Sequence, residues 1–254
     1  MMLHLTGCLA LLGLLAQVAS AQTGKAPDVN SIVDRMMAAL QENRAHLRAF
    51  TVKRHYQLLD KQSQPKAEIV AEITYHPPGP NQYHIERSSG GMGEKVLRDI
   101  LTKDTETTTD TRRRDLSRDN YDFQFLREDK LDGSRCYVLA MVPKRDEKEL
   151  VRGQVWVDAQ SYKIRRVEGK PMKSPSWWLR DTSILMTFAD VNGMWLRTAT
   201  YAVSSLRFKG QYTMVSRDIE YHAPKPPKPA KSTVKNEASL AGTAVVAGKK
   251  TAQR

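Results

Sequence analysis

The side chains of this 254-residue chain that could do chemistry fall into no catalytic pattern. His46, His55, His76, His84 and His222 are scattered over helical, strand-like and loop stretches, with no spacing that would hold a metal. Ser176 lacks the Gly-x-Ser-x-Gly elbow that exposes a serine nucleophile. Asp158 and Glu168 could be weighed as an acid–base pair, but both lie in a charged, alternating segment where surface acids are ordinary. Cys136 opens the run Cys136-Tyr137-Val138-Leu139 between polar flanks, the setting of a small core residue and not of a reactive thiolate. The expectation is a non-enzymatic protein with no catalytic residue, no metal and no cofactor.

Apolar periodicity carries the stronger signal. Ile32, Val33, Met36, Met37, Leu40 and Leu47 recur at helical spacing, so Val29 to Leu47 reads as an amphipathic helix. Asn30 or Asp28 is placed to cap it, with Asp34 in its first turns. From Phe50 the period becomes two: Phe50, Val52, Arg54 and Tyr56 alternate with Thr51, Lys53 and His55. Strands follow at 68–76 and 82–87, separated by Pro77, Pro78, Gly79 and Pro80. Residues 94–118 form a polar insert, in which Val96, Leu97, Ile100 and Leu101 predict a short helix. A meander then runs through 121–126, 136–142, 153–158, 161–168, 182–191, 195–206 and 211–221. Asp132–Gly133, Asn192–Gly193 and Lys209–Gly210 supply its turns.

The two ends differ from this middle. Residues 1–21 combine an apolar core, Leu9 to Leu15, with Ala19, Ser20 and Ala21, the composition of a cleaved export signal. Cleavage after Ala21 would release the mature chain outside the cytoplasm. Cys8 precedes that apolar core, which argues against lipid anchoring there. Residues 22–223 then form one domain, and residues 224–254, rich in Pro, Lys and Ala, read as a disordered tail. Half of the formal net charge of +12 lies in that tail, which carries seven Lys or Arg and one Glu. The domain itself is mildly basic with interspersed charges, which excludes a nucleic-acid surface.

About ten strands make a sheet too wide to stay flat with a dry face exposed. Another sheet or the two helices must cover it. If the lining is not packed to full density, a hollow for an acyl chain results; if it is, Tyr56, Tyr75, Phe123 and Phe125 simply fill a core. Trp177 and Trp178, adjacent in a loop, belong at a cavity mouth, an interface or a membrane surface unless Pro171 and Pro175 fold the loop back as a plug.

Several stretches carry a family resemblance: Asn120-Tyr121-Asp122-Phe123, Leu131 to Leu139, Pro143-Lys144-Arg145, Gly153 to Asp158, Ile164 to Gly169, and Gly193-Met194-Trp195-Leu196. With them, Val29 to Tyr221 resembles the LolA/LolB-like periplasmic lipoprotein-carrier superfamily, in particular its outer membrane lipoprotein-sorting group. The resemblance implies a mostly β, strongly curved antiparallel half-barrel of ten or eleven strands with a helical lid. It also implies a place in the periplasm, shelter for lipid or lipoprotein acyl chains, transient contact with membrane components, and a monomer. The alternative role on the same fold is an envelope-stress sensor acting through a protein partner. In the carriers an early-strand Arg holds the lid closed; Arg54 is the nearest equivalent, although an outward-facing Arg fits the alternation as well. Cavity or mouth candidates are Met36, Leu40, Phe50, Arg54, Tyr56, Tyr75, Phe123, Phe125, Trp177 and Trp178.

Overall fold

The computed structural model describes residues 28–77, 80–106, 115–147, 150–174, 179–206 and 210–222. The expected export signal (residues 1–21), the expected tail (224–254), and Trp177 and Trp178 lie outside these residues. In chain order the elements are α1 (Val29–His46), β1 (Phe50–Leu59), β2 (Pro65–Tyr75), β3 (Gln82–Ser88) and α2 (Met92–Thr105). They continue with β4 (Tyr121–Leu131), β5 (Ser134–Pro143), β6 (Val151–Asp158), β7 (Ile164–Pro171), β8 (Leu179–Val191), β9 (Met194–Leu206) and β10 (Gly210–His222).

Asp28 is the cap that starts α1, its carboxylate accepting from the backbone N–H of Asn30 and Ser31. Asp34 lies in the second turn of α1, where it pairs with Arg118. Leu47 is the C-cap and not the last helical residue. β7 begins at Ile164, three residues later than the alternation suggested. The cause is Asp158, whose carboxylate accepts from Gln160 and Ser161 and turns that stretch into a tight loop. Asp132–Gly133 and Asn192–Gly193 both adopt positive φ at two consecutive residues, the geometry of a type I′ hairpin turn.

All ten strands join one antiparallel sheet in the order β3-β2-β1-β10-β9-β8-β7-β6-β5-β4. The first and last strands therefore meet at an interior ladder, and the sheet stays unclosed between β3 and β4. Register shifts interrupt six of the nine ladders, the β8–β9 ladder twice, and bend the strands around the helices. Gly153 and Gly169 face each other across β6 and β7. A Cβ on Gly153 would fall 1.9 Å from the Glu168 carbonyl oxygen, so this crossing requires a bare backbone.

The concave face is covered in two halves. α1 lays Ile32, Val33 and Met36 over Leu139, Met141, Val155, Val157, Ile164 and Val167 of β5–β7. Asn43 fastens it to β9 by bonding both the N–H and the carbonyl of Trp195, at 2.8 and 2.9 Å. α2 lays Leu97 and Leu101 over Val52, Tyr56, Ile69, Ala71 and Ile73 of β1 and β2. It approaches closely because Gly93 has no side chain: a Cβ there would sit 2.7 Å from that of Ala67. α2 ends at Thr105, whose hydroxyl bonds back to the carbonyls of Leu101 and Thr102. On the convex face Cys136 is fully buried beside Val138 and Trp156, and the indole is flanked by Arg127 and Arg166.

Gly153→Ala should lower unfolding free energy by about 2 kcal/mol or more, since the added methyl must push two strands apart. Urea unfolding of the two proteins side by side measures this.

Candidate functional site

Strand alternation puts Phe50, Val52, Arg54, Tyr56 and Leu58 of β1 on the concave face, so Arg54 points inward under α2. A buried guanidinium must be paired. Its partners come from two elements far apart in the sequence. Arg54 donates from Nε to Asp218 Oδ1, and from Nη2 to Asp218 Oδ2 at 3.1 Å. Its Nη1 donates to Asp104 Oδ2 of α2 at 2.5 Å and to Tyr75 Oη at 3.3 Å. Tyr56 donates to the same Asp104 oxygen at 2.9 Å. Arg197 of β9 donates to Asp104 Oδ1, and Tyr221 to Asp218 Oδ2. The side chains of Arg54 and Asp218 are 6% and 1% exposed, so water takes almost no part in their pairing.

A bulge makes this cluster possible. Lys53 pairs with Glu220 and Arg54 with Asp218, which leaves Ile219 over. Residues 218 and 221 would otherwise face opposite sides of the sheet; with Ile219 bulged out to 53% exposure, both turn inward. On α2, Leu97, Leu101 and Asp104 share one face, so the helix that packs on β2 also delivers the carboxylate.

Burial alone would push the Asp104 carboxyl up, but Arg197 and Arg54 beside it outweigh burial and hold it at about 2. Burial tends to lower Arg54, yet its bond to Asp218 keeps it raised, so it stays charged. Burial, reinforced by the nearby Asp104 charge, pushes the Tyr56 phenol well up and keeps its donor proton in place. The cluster holds two guanidiniums and two carboxylates, a balanced set.

Two cavities lie along α2, and the larger of them adjoins the cluster. One, of about 260 Å³, lies beside the outer flank of α2 and is lined by Leu58, Val96, Ile100, Ile184, Ala202 and Met214. Its polar atoms are largely spent on one another, since the Thr182 and Ser204 hydroxyls bond at 2.9 Å. The second, of about 410 Å³, lies between the ends of the two helices and is lined by Leu47, Phe50, Tyr75, Met186, Phe188 and Leu196, together with Arg54, Asp104, Arg197 and Asp218. Phe50 and Tyr75 stack there with ring centroids 4.7 Å apart. Ile184 and Met186 are successive concave residues of β8, and Ile100 and Asp104 are one turn apart on α2, so the cavities are neighbours along the same helix.

Of the sequence candidates, Phe50, Arg54 and Tyr75 line the second cavity, and Tyr56 lies buried against Asp104 behind it. Leu40 borders a separate cleft of about 220 Å³ between α1, Leu116 and Trp195. Met36, Phe123 and Phe125 belong to the packed core under α1 and line neither of the two cavities. Asp104, Arg197 and Asp218 were not among the candidates. Asp104 carried a readable signal, an acid on the apolar face of a helix. Asp158 and Glu168 do not meet as an acid–base pair: each is paired with an arginine, Arg165 and Arg166. Among the described residues no group of three or more His, Cys, Asp or Glu is placed to hold a metal, and no helix is long and apolar enough to cross a membrane.

The ten strands form a curved, unclosed antiparallel sheet with two helices against it, a mostly β half-barrel. A family model described only as "Uncharacterized protein" matches residues 100–228, and the chain belongs to that family. No curated protein matches the chain. Among solved structures, it is similar to a domain assigned to the outer membrane lipoprotein-sorting proteins of Vibrio parahaemolyticus, with 13% identity, 75% of this chain and 92% of that one covered, and a TM-score of 0.39. It is also similar to a LolA superfamily protein from Nitrosomonas europaea, at 14% identity, 78% and 94% coverage and a TM-score of 0.36. The lipoprotein LppX of Mycobacterium tuberculosis matches at 12% identity, 78% and 99% coverage and a TM-score of 0.30.

Asp104 is held below the 3.8 of an ordinary Asp, so its stabilising effect is complete above that pH and fades as the pH falls towards 2. Asp104→Asn should therefore cost on the order of 2 kcal/mol at neutral pH, and the gap from the parent protein should narrow between about pH 4 and pH 2. Urea midpoints across that range measure it.

Proposed function

We propose that this chain is an exported, non-enzymatic binding protein that shelters lipid or lipoprotein acyl chains between its sheet and α2. The observation that carries this reading is the pair of largely apolar cavities flanking a helix that is tied down by a buried ion cluster. Pockets that take organic ligands are concave and mostly apolar, with a few placed polar groups, and these two fit that description. Each methylene moved from water into such a space contributes about 0.8 kcal/mol, so an acyl chain needs no specific bonds along its length.

In this reading α2 is the lid and Arg54 its latch. The sequence resemblance implies such a role for an early-strand Arg, and the Arg54–Asp104 contact is what it would consist of here. Releasing Asp104 would join the two cavities into one channel along the concave face. Phe50, Tyr75, Leu58, Ile184 and Ala202 would line that channel, and Trp177 and Trp178, which precede β8 in the sequence, are proposed for its mouth. Residues 1–21 act as the export signal and residues 22–223 as the binding domain, placing a monomer in the periplasm in transient contact with membrane lipoproteins.

Protein purified from its native periplasm should carry added lipid mass by native mass spectrometry and take up a fluorescent fatty acid. Ala202→Trp, which fills the smaller cavity, should cut uptake at least tenfold with a melting temperature within a few degrees of the parent. Lipid-free protein that excludes the fatty acid would refute the proposal.

A further inference from the structure

We infer that the larger cavity receives an amphiphile whose chain ends in an anionic oxygen head, a carboxylate or a phosphate monoester, with Arg197 as its partner. This rests on reading the cavity as an acyl-chain site. It comes from counting donors and acceptors around the cluster.

Every carboxylate oxygen there is engaged. Asp104 Oδ1 accepts from Arg197, and Asp104 Oδ2 accepts from Arg54 and Tyr56. Asp218 Oδ1 accepts from Arg54, and Asp218 Oδ2 accepts from Arg54 and Tyr221. Arg54 spends all three of its nitrogens on these groups and Tyr75. Donors, by contrast, are left over. Arg197 commits only Nη2, and among the described residues its Nε and Nη1 have no acceptor. Tyr75 accepts from Arg54 and keeps its own proton to give.

These spare donors line a cavity whose remaining walls are mostly aliphatic and aromatic, and Arg197 is one-third exposed while lining it (33%). A guanidinium with unspent N–H groups against an apolar wall is complementary to an oxyanion: it stays charged, and its bonds to carboxylate or phosphate are charge-assisted. A cationic head would meet like charge, and a hydroxyl would offer a weaker, neutral acceptor. Because the cluster is neutral as a whole, the preference comes from short-range bonds to Arg197 and not from a broad positive field. The chain of the ligand then lies against Phe50, Phe188, Met186 and Leu47.

The test titrates the full chain with palmitate, hexadecyl phosphate and hexadecanol, below their aggregation limits and at a mildly alkaline pH, by calorimetry. At least one of the two acids should bind ten times more tightly than the alcohol or better, and the stronger of the two identifies the head. In Arg197→Met the ratio of acid to alcohol affinity should fall to near one, and Arg197→Lys should restore part of it. Arg197→Gln, which can still donate to Asp104, serves if the Met variant does not fold. Equal binding of acids and alcohol by the parent, or a ratio unchanged in the variants, overturns the oxyanion site and leaves the acyl-chain reading standing. Failure of all three probes to bind overturns both.

Discussion

A guanidinium removed from water has to be met by negative charge, and in this protein that requirement is satisfied at Arg54 by carboxylates from two other elements. Much of the architecture follows from it. Asp218 reaches Arg54 only because β10 bulges at Ile219, which fixes the register of the β1–β10 ladder. Asp104 reaches it only because α2 lies close on β2, and that closeness depends on the missing side chain at Gly93. The helix is held by apolar contacts along Leu97 and Leu101 and by an ionic one at its end. The first are indifferent to direction; the second specifies where the helix must stop.

The two halves of the concave face are filled by side chains of different size. Under α1 the sheet presents Leu139, Met141, Val155, Val157 and Val167, large side chains that pack against Met36 and Val33. Beside α2 the corresponding positions of β8 and β9 include Thr182, Ala202 and Ser204, and the space those short side chains leave is the smaller cavity. The larger one arises where the two helices end and neither covers the sheet. Helix placement and side-chain size thus produce the cavities together.

Much of the framework was legible in the sequence. The ten strands, the leading helix and the I′ turns at Asp132 and Asn192 all follow from period and turn chemistry, which are local properties. The direction in which Arg54 points was not legible. Alternation along β1 placed it with Phe50, Val52 and Tyr56, but only a counter-ion makes an inward Arg tolerable, and Asp218 is 164 residues away. Its strand contains a parity break that no periodic pattern reveals, since Asp218 and Tyr221 share a face only through the bulge. Asp104 was closer to reach: extending the spacing of Leu97 and Leu101 by one turn lands on it. Arg197 follows an ordinary hairpin turn, and nothing in its neighbourhood marks it. Phe123 and Phe125 have the same alternation as Phe50 and Tyr75, yet one pair packs under α1 and the other lines a hollow, a difference of tertiary placement.

The pairing of β1 with β10 has a bearing on how the molecule is made. The sheet's central seam joins the first strand to the last, so synthesis of nearly the whole domain must precede its closure. Until β10 emerges, Arg54 lacks the carboxylate that makes its burial tolerable, and the half-built sheet has every reason to remain open. Ladders between such distant segments also form slowly. A polypeptide arranged in this way commits to its final shape only when its last strand arrives.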